Sequence, residues 1–200
     1  MTGALAYFGA FNPPTAAHIG LARFAMEQTG AGQVIFVPSK SIYISKSQGK
    51  ELVYPDETRL NMLRRAAESR PWMRVTDREL LAPAQPRTYE TLCHFREEGV
   101  TPALLMGSDK LPELEHGWLH VEEIVREFGI VCLARGGDES ERLLRDDPYL
   151  RRLSGGIRVL ETPEKTRFVS STAVRERVAR IRELEAQLRE MVPAEILPLL

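Results

Sequence analysis

No run in this chain approaches the roughly 18 apolar residues that a membrane-spanning helix needs, and Met1-Thr2-Gly3 lacks the basic start of a secretory signal. Those gaps give the expectation of a cytoplasmic protein with no membrane partner. Cysteine is scarce: Cys93 lies in the helical-looking "TYETLCHFREEG" and Cys132 in the strand-like "GIVCLAR", with no CxxC pair and no neighbouring Cys/His ligand cluster. This excludes a disulfide scaffold and a zinc knuckle and predicts two reduced thiols in or near the core. Charge of one sign is missing too, since 27 Lys+Arg against 28 Asp+Glu leave a formal net charge of -1. Nothing global then attracts nucleic acid, although a local basic site for a small polyanion stays open. The glycine patterns of the two common nucleotide loops, GxGxxG and GxxxxGK[ST], are both absent.

What is present is alternation. Two hundred residues are enough for one sizeable core, and a single domain over 1–200 is expected, with a C-terminal helical part from about 171. "ALAYFG", "QVIFVPS", "MRVTDREL", "PALLMG", "IVCLAR" and "GIRVLE" read as strands. Between them, "HIGLARFAMEQTG" reads as a helix burying Ile19, Ala22, Phe24 and Met26 and stopped by Gly30, and "DETRLNMLRRAAESR" as another on Leu60, Leu63 and Ala67. "TYETLCHFREEG" and "VEEIVREFG" follow as helices, and the polar run 136–156 has room for a short one. "SKSIYISKSQGKELVY" reads as irregular. The last helix, from about Ser171, carries a seam of Val174, Val178, Ile181, Leu184, Leu188 and Met191, expected to pack on its own domain, with a subunit contact in a homo-oligomer as the alternative. Continuous apolar strands alternating with helices predict an α/β fold with a doubly wound, mainly parallel sheet. Such sheets bind ligands at the carboxyl ends of their strands, which directs attention to the loops there.

The loop after the first strand, Gly9 to His18, is the first candidate. Gly9 allows a tight turn, Pro13-Pro14 stiffens the loop, and Thr15 to Ala17 are small enough for a ligand to approach the backbone. His18 falls at a helix start, where free N–H groups favour phosphate. At the other end of the chain, "FVSSTAVRERV" has capping-type hydroxyls at a helix start and Arg175 one turn inside, able to reach an anion there. Between them, "LLMGSDKL" ends a strand at Gly107 and offers the carboxylate of Asp109 to ribose hydroxyls.

"GAFNPPTAAH" resembles the GxFxPxHxGH signature, in its TxxH form, of the nucleotidyltransferase superfamily, with Ala17 in place of the commonest glycine. "SSTAVR" resembles the SSTxxR motif of the same superfamily, and "GSD" its GxD segment. "LEHGWLHVEEIVREFGIVCLARGG" is similar to the corresponding run of the nicotinate and nicotinamide mononucleotide adenylyltransferases. The resemblance extends from Tyr7 to about Val178 and implies a Rossmann-like nucleotidyltransferase fold.

It further implies ATP and nicotinamide or nicotinate mononucleotide as substrates, NAD or its deamido form as product, and Mg²⁺ held mainly by the ATP phosphates. His18, Thr15 and Arg175 become the catalytic residues; Gly9, Phe11, Ser171 and Thr172 bind the ATP phosphates. Gly107 and Asp109 take the ribose, while Trp118, Asn12 and Lys46 take the pyridine nucleotide, with Lys50 an alternative to Lys46 and no protein metal ligand assigned. Arg78 stands where some relatives carry a second aromatic at the pyridine pocket. A different phosphate acceptor, such as pantetheine phosphate or a polyol phosphate, and a non-catalytic nucleotide sensor are the competing readings.

Overall fold

The computed structural model describes residues 3–48, 53–135, 139–163, 169–194 and 196–197. Six strands, β1 (Ala4–Gly9), β2 (Gln33–Pro38), β3 (Met73–Val75), β4 (Pro102–Gly107), β5 (Ile130–Arg135) and β6 (Ile157–Thr162), form one sheet in the order β3-β2-β1-β4-β5-β6. Every pairing is parallel, with Ala6 beside both Ile35 and Leu104 at the centre. The chain winds outward from β1 in one direction and resumes at β4 in the other. The switch point therefore lies between the carboxyl ends of β1 and β4, at Gly9 and Gly107.

Side-chain alternation feeds two cores, one on each face. Leu5, Leu105 and Val131 face α1 (Ala16–Thr29) and α3 (Asp56–Ala67), which contribute Ala22, Ala25 and Leu63. Ala6, Leu104 and Cys132 face the opposite layer, where α5 (Thr88–Glu97) and α7 (Val121–Glu127) bring Leu92, Phe95 and Ile124. Each fully buried Leu or Phe here is worth about 1.5–3 kcal/mol, and replacing Leu63 by Ala would leave a cavity costing about 2–5 kcal/mol. Neither cysteine is in a disulfide, with Cys132 buried and Cys93 half-buried.

The structure departs from the pattern-based expectations at five places. The buried face of α1 is Ala17, Ala22 and Ala25, while Ile19, Phe24 and Met26 are only half-buried. The small side chains bring the helix close to the sheet. Ser41–Gln48, expected as irregular, is helix α2, whose weak amphipathicity hid it. "MRVTDREL" stays extended only as far as Val75; Arg78–Leu81 forms the short helix α4. The polar run holds two helices, α8 (Ser140–Asp146) and α9 (Pro148–Leu153), the second started by Asp147 and Pro148.

The largest departure is α10 (Ser171–Met191). No residue of it is buried, and Ile181, Leu184, Leu188 and Met191 are exposed, so the seam does not pack on its own domain. Its composition of Arg, Glu, Leu, Ala and Gln makes a helix by propensity, with Arg180 and Glu183 paired at 2.7 Å. Amphipathic spacing set the helix without setting what covers it.

Candidate active site

A cavity of about 680 Å³ opens at the switch point, bounded by the loops after β1 and β4 and by the start of α10. The loop after β1 makes a sharp excursion. Phe11 takes a positive φ of 43° and is buried, and a Cβ on Gly9 would lie 3.2 Å from its ring, so the bare glycine lets that ring fold back over the strand end. The Asn12-Pro13 bond is cis.

Thr15 is the N-cap of α1, and its hydroxyl accepts from the His18 backbone N–H at 3.4 Å. The Thr15 backbone N–H donates to His18 Nδ1 at 3.0 Å, and the Thr15 hydroxyl lies 2.8 Å from the same nitrogen. A nitrogen that receives a backbone N–H bears the lone pair, so the ring proton sits on Nε2. His18 is thereby a donor into the cavity it lines. The edge of Phe11 packs against the imidazole, ring centroids 5.3 Å apart.

The two motif ends meet. Ser171 Oγ donates to the Pro13 carbonyl at 2.8 Å, and Arg175 Nη1 donates to the Asn12 carbonyl at 2.7 Å. Arg175 Nη2 reaches Thr172 Oγ1 at 3.1 Å, while Ser170 caps the helix by accepting from Ala173 N. Ser171, Thr172 and Arg175 line the same cavity as Gly9, Phe11 and His18. Asn12 lines it too and ties the loop outward, its Oδ1 accepting from Tyr54 N at 3.1 Å.

Sequence reasoning missed Arg59. This side chain is fully buried under the loop, donating to the Ala10 carbonyl, to the Ser39 carbonyl at 2.6 Å and to Asp56 at 2.6 Å. Burial works against ionisation of Asp56, but hydrogen bonds from Ser41 and Arg59 outweigh it and hold the carboxyl below its ordinary range. The pair therefore stays ionic and pins the turn after β1 to the turn after β2. The only local sign was an arginine within an otherwise apolar helical spacing, "RLNML".

At the β4 end, a Cβ on Gly107 would sit 2.5 Å from Asp109 Oδ1, so glycine is required for the carboxylate to turn back over the strand end. Gly107, Asp109 and Trp118 all line the cavity. Trp118, after the short helix α6 (Leu114–Gly117), is half-buried against the core, which steadies its indole as a wall. Arg78 points elsewhere: it pairs with Glu98 and is not among the lining residues. Its neighbour Glu79 lines the cavity instead. Burial raises the Glu79 carboxyl to about 7, only partly opposed by hydrogen bonds from Gln85 and Thr91. Gln85 also accepts from Lys40 N at 2.8 Å, and Lys40 Nζ donates to the Ala82 carbonyl at 2.6 Å, tethering residues 82–88 to the end of β2. That loop presents Arg87, a second residue missed by sequence reasoning, exposed at the cavity and with no ion pair among the described residues. Lys46 belongs to α2, but its side chain lies outside the described residues, as does all of Lys50.

Residues 6–177 match the family model described as "Cytidylyltransferase-like". The chain belongs to the cytidylyltransferase-like family. That match embraces both motif regions and all of the sheet but the first two residues of β1. Among cytidylyltransferase-like relatives, "Probable nicotinate-nucleotide adenylyltransferase" of Carboxydothermus hydrogenoformans is 32% identical over 94% of this chain and 90% of its own. The protein of the same name from Clostridium botulinum (strain Eklund 17B / Type B) is 28% identical over 85% of this chain and 82% of its own. The fold is shared with a solved structure titled "Plasmodium falciparum nicotinic acid mononucleotide adenylyltransferase complexed with NaAD", at TM-score 0.65 and 19% identity, covering 88% of this chain and 83% of that one.

Proposed function

We propose that this chain transfers the adenylyl group of ATP to nicotinate mononucleotide, releasing pyrophosphate and giving the deamido form of NAD. The observation that carries the reading is the meeting of the TxxH loop and the SSTxxR helix start across one cavity at the β1/β4 switch point, with Trp118 and Arg87 also lining that cavity. The names of the relatives support the same pyridine substrate.

The attacking group is the mononucleotide's own 5′-phosphate, already anionic at neutral pH, so no protein nucleophile or general base is required. Its oxygen bonds to the α-phosphorus as the bond to the β-phosphate oxygen breaks in line, and the electron pair leaves on pyrophosphate. The protein's task is to hold two polyanions and to meet the moving charge with fixed donors. His18 Nε2–H, its tautomer fixed by Thr15, donates to the α-phosphate. Arg175, with the Ser171 and Thr172 hydroxyls, takes the β- and γ-oxygens, and Asp109 takes the ribose. No three His, Cys, Asp or Glu residues among the described residues form a metal-holding group, so Mg²⁺ fits as part of the metal–ATP substrate, bound by phosphate and water.

Nicotinate rather than nicotinamide follows from charge. Lys110 is paired with Glu113 at 2.7 Å and Arg175 is committed to the phosphate end, which leaves Arg87 to meet a carboxylate at the edge of a ring stacked on Trp118. The test is pyrophosphate release with ATP, Mg²⁺ and nicotinate mononucleotide, nicotinamide mononucleotide or no acceptor. Release favouring nicotinate and lost in His18→Ala is expected. Equal silence with both acceptors would overturn the reading.

A further inference from the structure

We propose that Glu79 is a positioning residue that sets the acceptor preference of this chain, acting through Gln85 on the segment that carries Arg87. The inference rests on the reading of the cavity as a nicotinate mononucleotide site. The segment between α4 and α5 has little backbone with which to anchor itself. Pro83 and Pro86 lack an N–H, and the next backbone donor, Arg87 N, is spent on Glu90 Oε2 at 2.8 Å at the start of α5. Yet Gln85, Pro86, Arg87 and Thr88 all line the cavity. A guanidinium that is to tell one acceptor from another has to be held in place.

Side chains supply the anchorage. Glu79, on α4, is only 2% exposed, with one carboxyl oxygen accepting from Gln85 Nε2 and the other from Thr91 Oγ1 of α5 at 2.9 Å. Gln85 in turn accepts from Lys40 N at 2.8 Å, so a single amide joins the segment to α4 and to the end of β2. Lys40 Nζ donates to the carbonyls of Leu80 and Ala82 beside it. Truncating Glu79 takes the acceptor from Thr91 and leaves Gln85 Nε2 with the Pro86 carbonyl at 3.4 Å. The segment then loses its hold on α4, and Arg87 moves with it. The phosphate end does not share these bonds, since His18 and Arg175 are held by Thr15 and by the Asn12 carbonyl.

The test compares Glu79→Ala, Glu79→Gln, Gln85→Ala and Arg87→Ala. The amide in Glu79→Gln keeps both bonds, its oxygen accepting from Gln85 and its nitrogen donating to Thr91. Glu79→Ala and Gln85→Ala should each raise KM for nicotinate mononucleotide about tenfold, with kcat and KM for ATP changed less than about twofold, the signature of lost ground-state binding. KM for nicotinamide mononucleotide should rise less, so the acceptor preference narrows as in Arg87→Ala. Adding Glu79→Ala to Arg87→Ala should narrow it no further, because the two act in series. Glu79→Gln should match the parent.

Trypsin cleavage of the Arg87–Thr88 bond, followed by mass spectrometry with no substrate present, reads the segment directly. It should be about fivefold faster in Glu79→Ala and Gln85→Ala and unchanged in Glu79→Gln, with cleavage after Arg23 of α1 and Arg64 of α3 unchanged in all three. Parallel rises in KM for both substrates, or a further narrowing in the double variant, would overturn the positioning role. Cleavage unaltered by Glu79→Ala would overturn the tether whatever the activity. A parent silent with both acceptors would overturn the proposed function, and with it the link to acceptor preference.

Discussion

The two ends of the cavity are built on different principles. At the phosphate end, His18 is aimed by its own N-cap three residues away, and the loop that carries it rests on Arg59, a fully buried guanidinium. At the pyridine end, the loop bearing Arg87 is tethered through Glu79, a buried carboxyl with a pKa of about 7. In the proposed reaction charge moves at the first end only, where the donors are held by hydrogen bonds within the loop after β1, and the second end is where the pyridine ring is proposed to bind.

Removing Arg59 should do the most damage to this contrast. Arg59→Met leaves Asp56 with only its Ser41 donors, takes the donor from the Ala10 and Ser39 carbonyls, and should cost about 3–5 kcal/mol, read as a lower midpoint in urea unfolding. A variant as stable as the parent would mean the loop holds itself. His18→Ala should lower turnover about a hundred- to a thousandfold, the usual loss of one fixed donor to developing charge, with the unfolding midpoint unchanged. Near-normal turnover would remove His18 from the phosphate end.

Glu79 sharpens the comparison through pH. In the unfolded chain it loses its proton near 4.5, and in the folded chain near 7. Between those values the folded state holds more protons, so stability falls as pH rises through that window, by up to about 3 kcal/mol. Urea unfolding at several pH values should show this slope, and Glu79→Gln should remove it. A wild-type curve without the slope would place the Glu79 proton elsewhere.

The smaller effects belong to the ring. Trp118→Ala should raise KM for the pyridine nucleotide about fivefold, the scale of one aromatic contact of about 1 kcal/mol, with little change in KM for ATP. Arg87→Ala should narrow the preference for nicotinate over nicotinamide mononucleotide without abolishing turnover with either. An unchanged ratio would mean that another group meets the carboxylate.

The legibility of the residues follows the same division. Thr15 and His18 could be read because N-cap chemistry is local and three residues suffice for it. Arg59 could not, because the carbonyls it satisfies belong to Ala10 and Ser39, brought together by the pairing of β1 and β2. Attention at the pyridine end fell on Arg78, yet its neighbour Glu79 faces the cavity, since the short helix α4 rotates the side chains where extended backbone had been expected. Trp118 was legible through its neighbours, but its place in the wall depends on the core behind it.

By itself the sequence determined the alternation of strands and helices, the parallel sheet, the loops at its strand ends and the polar residues that line the cavity at the switch point. These follow from periodicity, capping and short-range spacing, which act within a few residues. Only the tertiary structure decided that residues 12–13 and 171–175 share one set of hydrogen bonds, that a buried arginine supports them, and that the apolar seam of α10 faces water. Each of these depends on which distant surface a side chain meets, and hydrophobic spacing is the same for a helix laid on its own sheet as for one whose seam faces water.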